Sequence, residues 1–338
     1  MFMTTRAEVR GVRRRCAVLL AAAILLRGAA ALWTGGGTVR PAGADLRSFP
    51  AGAAADRPAR QLPALRFRDV PEEDAPEEIP VEPPEKAARE GGEVPSFTAE
   101  DAAGIVIGGN CTLDYDKEAL LLAPPPETER LDGPQVLIVH THTTEAYTKA
   151  PGWDYEETEP CRTLDPDYSV VRLGSELAAL LEAQGIGVLH DTTVQDYPSY
   201  SGSYDRTAET ISAYLAEYPS IRMVLDVHRD AFEAADGTLG GTAADGRARI
   251  MLVVGTDERG LTHPNWQGNL SFALKLETLL RRRAPGLSRG ISLCAQRYNQ
   301  NLTPLSLLAE FGAAGDTLEE ALAAVPDFAA ALAELLAV

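Results

Sequence analysis

Short apolar runs, each broken by a polar cluster, organise the carboxy-terminal part of this chain. Val136-Leu137-Ile138-Val139 runs into His140-Thr141-His142-Thr143-Thr144-Glu145. Residues 221–225 run into Asp226-Val227-His228-Arg229-Asp230, and residues 305–308 lead to Glu310-Phe311-Gly312. Runs of this length and composition read as buried strands of an α/β sheet. Between them lie helical periodicities at 169–184, 203–218 and 267–283, stopped at Gly185, Pro219 and Pro285-Gly286. Further strands are expected at 105–107, 135–140, 186–190, 221–228, 249–255, 291–295 and 305–310, with terminal helices at 317–324 and 327–336. This alternation predicts one α/β domain over residues 102–338, a mainly parallel twisted sheet with helices on both faces.

The amino-terminal third reads differently. Residues 1–15 hold five Arg and one Glu, residues 16–26 carry no charge, and the apolar run resumes at 29–33 after Arg27-Gly28. A basic flank before an apolar segment is the pattern of a signal peptide or a membrane anchor. The extended apolar length favours an anchor over residues 1–34, and the positive-inside rule then exports the rest of the chain. Residues 35–101 are dominated by Gly, Ala, Pro and acids, as in Pro71-Glu72-Glu73-Asp74-Ala75-Pro76. Such a segment cannot bury a core, and its charges repel, so it is expected to be an extended, disordered linker.

A formal net charge of −18 argues against a nucleic-acid-binding role, which needs clustered Lys and Arg against phosphates. The four cysteines, Cys16, Cys111, Cys161 and Cys294, show no paired spacing and suggest no thiolate metal site. In an exported domain, one disulfide among the last three is compatible with the composition.

Ligands of open α/β sheets bind beyond the carboxyl ends of the strands, where three of the chain's five histidines stand. Imidazoles and carboxylates together form the usual ligand set of a catalytic zinc ion. His140 and His142 lie two apart, and on an extended chain they would point the same way. Glu145 follows and could complete a metal shell or cap a helix. Asp226 and Asp230 flank His228 and could orient its ring. Arg229 could neutralise them or hold a substrate carboxylate, and a structural ion pair explains it equally. His190, beside Asp191, is a substrate contact, a proton shuttle or a surface histidine. Glu310 ends an apolar strand, so burial should raise its pKa, which suits a general base. Its structural alternative is a buried glutamate paired to arginine. Jointly these strand-end clusters point to a zinc hydrolase.

The same motifs carry a family resemblance. The segment from Val136 to Tyr147 resembles the signature of stage II sporulation protein P. So do Tyr200-Ser201-Gly202-Ser203-Tyr204, Leu225-Asp226-Val227-His228-Arg229-Asp230-Ala231, Arg297-Tyr298-Asn299-Gln300-Asn301-Leu302 and Leu307-Leu308-Ala309-Glu310-Phe311-Gly312. The resemblance covers residues 102–325. It implies a zinc-dependent N-acetylmuramoyl-L-alanine amidase acting on peptidoglycan during engulfment, with endopeptidase activity on peptide cross-links associated with the family. It implies a membrane anchor, an extracytoplasmic enzyme, and stage II sporulation proteins D and M as partners. By position it assigns His140, His228 and Glu145 to zinc and Glu310 to catalysis, leaving His142, Asp226, Arg229, Asp230 and His190 as supporting or substrate-contacting residues. Gln195 stands where the family pattern expects His, and Gly315-Asp316 where it expects Asn. The competing reading is a non-catalytic wall-binding scaffold of the same fold.

Overall fold

A computed structural model describes residues 95–124 and 131–336. The expected anchor, and the linker as far as residue 94, lie outside the described residues, among which no helix is long and apolar enough to cross a membrane.

Seven strands form one sheet: β1 (Ile107–Gly109), β2 (Val136–Val139), β3 (Val188–His190), β4 (Met223–Asp230), β5 (Ile250–Gly255), β6 (Ser288–Cys294) and β7 (Leu305–Ala313). Their order is β1-β6-β5-β7-β4-β2-β3. Neighbours are parallel except β5 and β7, which run antiparallel. The parallel pairs need crossovers, and the helices supply them. These are α1 (Ala99–Gly104), α2 (Lys117–Leu122), α3 (Val170–Glu182), α4 (Ser203–Glu217), α5 (Trp266–Arg283), α6 (Leu318–Leu322) and α7 (Val325–Leu336).

Alternation along the strands assigns each face. On β4, Met223, Leu225 and Val227 enter the large core, whereas Val224 joins a smaller one with Leu137 and Val139. Side chains two apart on a strand share a face, so Asp226 and His228 lie on the small-core side. On β7, Leu305, Leu307, Ala309 and Phe311 enter the large core, which turns Glu310 to the same opposite side. Helices α3, α5 and α7 pack on the large core. The smaller core takes Ile211, Tyr214 and Leu215 from α4. Helices therefore cover both faces, as expected, but unequally, and the lightly covered face carries the polar strand ends.

Local chemistry sets the helix limits. Ser169 Oγ accepts from the Val171 amide and starts α3, which buries Leu173, Leu177 and Leu181 at four-residue spacing. Each fully buried leucine stabilises the fold by about 1.5–3 kcal/mol. The six-residue helices α1 and α2 were not expected. They are too short for periodicity to register, and the Thr98–Asp101 capping box and the Asp116 cap start them. Helix α1 corrects the expected linker boundary at 101, because Phe97 packs on the core and Ala102 is buried within it. The first strand is Ile107–Gly109 rather than 105–107, since Ile105 caps α1 and turns into the core. Cys111, Cys161 and Cys294 are free thiols, so no disulfide forms among them.

The β4–β7 register shifts between His228 and Asp230, where Gly312 adopts φ +72°. A β-carbon there would meet Asp316 Oδ2 at 2.6 Å and Ala248 at 2.7 Å, so the irregularity requires glycine.

Candidate active site

Beyond β2 the chain turns sharply through residues 141–144, and each threonine of the turn is spoken for. The Thr141 amide and hydroxyl donate to the two carboxylate oxygens of Asp226 at 2.8 and 2.6 Å. The Thr144 amide and hydroxyl do the same to Asp196 at 3.1 and 2.8 Å. Asp196 also takes Arg162 Nη1 at 2.6 Å. This turn breaks the extended relation between His140 and His142, and the two rings go to different places.

His140 points into the fold. Its Nδ1 is 3.0 Å from the Val227 carbonyl and its Nε2 is 2.8 Å from His190 Nε2. Burial lowers its pKa to about 4, and burial together with His140 lowers that of His190 to about 3, so both rings are neutral. With Nδ1 donating to the carbonyl, His140 Nε2 accepts from His190. Gly174 of α3 closes over the pair, and a β-carbon there would lie 2.5 and 2.6 Å from the two Nε2 atoms.

His142 turns the other way. Its Nε2 lies 2.9 Å from the Tyr200 hydroxyl and its ring stacks on Tyr200 at 4.4 Å between centroids. The rings of Tyr204 and His228 meet its ring at steep angles, at 5.5 and 5.2 Å. Burial holds the ring neutral, with a pKa of about 4.

His228 is held between two buried carboxylates. Nδ1 is 3.3 Å from Glu145 Oε2, and Nε2 is 2.8 Å from Asp226 Oδ1. The second contact is close but poorly aligned, so Nε2 counts as an ion-pair partner without a formed hydrogen bond. Burial disfavours the imidazolium, yet Asp226 and then Glu145 outweigh it and raise the pKa to about 10. Glu145 shows the reverse balance. Burial raises it, but His228 and Arg229 bring it down to about 2. The Arg229 amide donates to Glu145 Oε2 at 3.2 Å. The Arg229 side chain donates to the Ala146 and Cys161 carbonyls at 2.9 and 3.0 Å.

Glu310 is the Cα partner of His228 on β4 and of Met251 on β5. Its Oε2 is buried with no hydrogen-bond partner. Burial, and then the charge of Asp230, push its pKa up to about 8, against the pull of His228. Asp230 itself pairs with Arg289 at 2.8 Å.

Of the residues expected to hold a metal, Glu145 and His228 meet at 3.3 Å, whereas the ring nitrogens of His140 face Val227 and His190, and those of His142 face Tyr200 and Ser203. The His142 ring lies beside His228, with centroids 5.2 Å apart. Among the described residues no three His, Cys, Asp or Glu side chains surround a common point. The donor chemistry nevertheless fits a divalent cation: two imidazoles, the Glu145 carboxylate and Asp226 adjoin in a buried site. A cation held there would offset the charges of Asp226 and Glu145, which flank His228.

Arg162, Asp196, Tyr200, Tyr204 and Arg289 complete the surroundings without having been expected there. The only sequence signal was the paired tyrosines of Tyr200-Ser201-Gly202-Ser203-Tyr204. The two departures from the family pattern are both structural. Gln195 Nε2 donates to Thr210 Oγ1 at 3.0 Å. Asp316 accepts from the amides of Thr242, Ala243 and Ala313 and from the Thr242 hydroxyl.

The sequence matches the family described as Stage II sporulation protein P over residues 71–333. Stage II sporulation protein P of Bacillus subtilis (strain 168) is 31% identical over 207 residues, 58% of this chain and 49% of that protein. The chain thus spans about half the length of the curated relative it matches. Among solved structures, the apo N-acetylmuramyl-L-alanine amidase Ami1 of Mycobacterium abscessus is 14% identical, with a TM-score of 0.35, covering 60% of this chain and 97% of that one. An N-acetylmuramoyl-L-alanine amidase of Clostridium difficile 630 gives 14% identity and a TM-score of 0.35, covering 61% and 96%. The fold rests on the strand order above and not on these distant likenesses.

Proposed function

The chain belongs to the stage II sporulation protein P family, and on that premise we propose that it hydrolyses peptidoglycan during sporulation, cutting the amide between N-acetylmuramic acid and L-alanine. The observation that carries this reading is Glu310. A buried carboxyl with an unpartnered oxygen, set across one ladder from His228 on the lightly covered face, supports a role in proton transfer. A pKa raised to about 8 lies near neutrality, where one group can both take and return a proton.

In this mechanism His142, Glu145 and His228 would hold a zinc ion, with Asp226 orienting His228. When bound, zinc supplies Lewis-acid activation of water and of the amide carbonyl. Glu310 takes a proton from the attacking water at Oε2. It returns that proton to the leaving amine nitrogen of the stem peptide, which completes cleavage. Thr141 and Thr144 keep Asp226 and Asp196 in place, and the stacked Tyr200 confines the His142 ring.

The same reading tethers the enzyme outside the membrane through residues 1–34 and gives it stage II sporulation proteins D and M as partners. Its support is the pattern of those residues and the family membership.

Digestion of purified cell wall by the full chain, with and without a chelator, tests the function. Mass spectrometry should find free stem peptides with new L-alanine amino termini, formed only in the metal-loaded reaction. Wall that is bound but uncut with zinc present would instead favour a non-catalytic scaffold.

A further inference from the structure

Arg289 opens β6 at the edge of the site and takes no part in the proposed chemistry. Its Nη2 donates to Asp230 Oδ2 at 2.8 Å, and its guanidinium carbon lies 5.5 Å from the centre of the Phe232 ring. Its Nη1 is buried and has no hydrogen-bond partner. The Phe232 ring occupies the space a β-carbon on Gly240 would need, and the residue remains 39% exposed. The result is a guanidinium held at one end, flanked by an apolar plate, with its other end unsatisfied. Arg289 is close enough that its charge acts on Glu310, whose Oε2 is also unpartnered.

The other two arginines around the site are committed. Arg229 serves the Ala146 and Cys161 carbonyls, and Arg162 serves Asp196 and Thr144. Of the remaining groups, Glu145, Asp226 and Asp230 are acids, the first two of them paired with His228. An anionic part of a substrate is repelled by these carboxylates and attracted to a guanidinium that keeps a free donor. A buried N–H without an acceptor is costly to the free protein, and a bound carboxylate would satisfy it with a charge-assisted bond.

Building on the proposed hydrolysis, we infer that Arg289 is a specificity-determining residue that binds a free carboxylate on the peptide part of the substrate. Phe232 would pack against the aliphatic portion of the same residue.

The test uses the full zinc-loaded chain and two synthetic muropeptides. They differ only in whether the stem residue after L-alanine carries a free carboxylate or its amide. The parent should prefer the carboxylate by about 10-fold or more in kcat/KM, mainly through KM, as expected when a site built for a hydrogen bond meets an analogue that cannot complete it. Arg289→Gln should level the two substrates, and Arg289→Lys should keep part of the preference, having charge but no fork. Melting curves check that both variants fold; if the Gln variant does not, reduced preference in the Lys variant decides. Equal KM for both substrates in the parent, or a preference unchanged in the variants, would overturn the inference and leave the hydrolase reading intact. Cleavage of neither substrate by the parent would overturn both.

Discussion

Glu310 and His228 face one another as Cα partners across the β4–β7 ladder, on the side of the sheet away from the main core. Each is a buried titratable group, but their neighbours treat them oppositely. His228 sits between Asp226 and Glu145 and holds its proton up to about 10. Glu310 has no hydrogen-bond partner for Oε2 and is pushed up to about 8 by burial and Asp230. In the proposed mechanism His228 is a fixed ligand, and Glu310 is the group that exchanges a proton.

Replacing Glu310 by Gln preserves shape and removes the proton acceptor. Cleavage should slow by about 100-fold or more, the scale of general acid–base assistance. Zinc binding and wall binding should stay at parental levels in calorimetry and pull-down. A zinc-loaded Glu310→Gln protein that cuts at the parental rate would leave Glu310 a structural carboxylate.

The two histidines of the turn make separable predictions. His142→Ala and His228→Ala should abolish zinc binding in calorimetric titration. His140→Ala should still bind zinc but unfold more easily, by about 1–3 kcal/mol, because the His190 ring and the Val227 carbonyl lose their partner. Zinc retained by His142→Ala and lost by His140→Ala would return the ligand role to His140.

Gly174 has no room for a side chain. In Gly174→Ala the new methyl would lie 2.5 Å from His190 Nε2 and 2.6 Å from His140 Nε2. The helix gains little from alanine compared with the overpacking, so a net loss of about 1–3 kcal/mol is expected. A melting temperature equal to or above the parent's would show that the imidazole pair yields freely.

Glu277 of α5 predicts a pH dependence of stability remote from the site. Burial raises its pKa, while Ser288, whose hydroxyl donates to Oε2 at 2.5 Å, and Arg281 oppose the rise. The folded value therefore exceeds the unfolded one. Its contribution is fully present below the unfolded pKa and is lost as pH rises through the folded value. Glu277→Gln should remove this loss, so urea midpoints of the variant should fall less steeply than the parent's from pH 4 upward. Parallel profiles would show that Glu277 ionises in the fold without cost.

The sheet was legible because parallel strands buried on both faces are written as continuous apolar runs. Residues 136–139, 223–225 and 305–309 could hardly be anything else, and the polar clusters after them marked the ends where a site forms. Helix α3 was equally plain, with Ser169 at its start and its leucines one turn apart. The short helices α1 and α2 were not, since six residues carry too little periodicity and only their caps announce them.

The composition of the site was therefore contained in the sequence, whereas its pairing was not. A strand-end histidine next to threonines is compatible with either face. Only the turn through residues 141–144, tied to Asp226 and Asp196 from distant parts of the chain, decides that His140 goes inward to His190 and His142 outward to His228. Arg289 came into the site in the same way, since β6 lies two strands from β7 and its reach to Asp230 exists only once the sheet is assembled. Local patterns specify backbone and burial because periodicity is a short-range property. Which polar groups meet is settled by long-range packing, where a buried group that misses its partner costs more than any local preference can return.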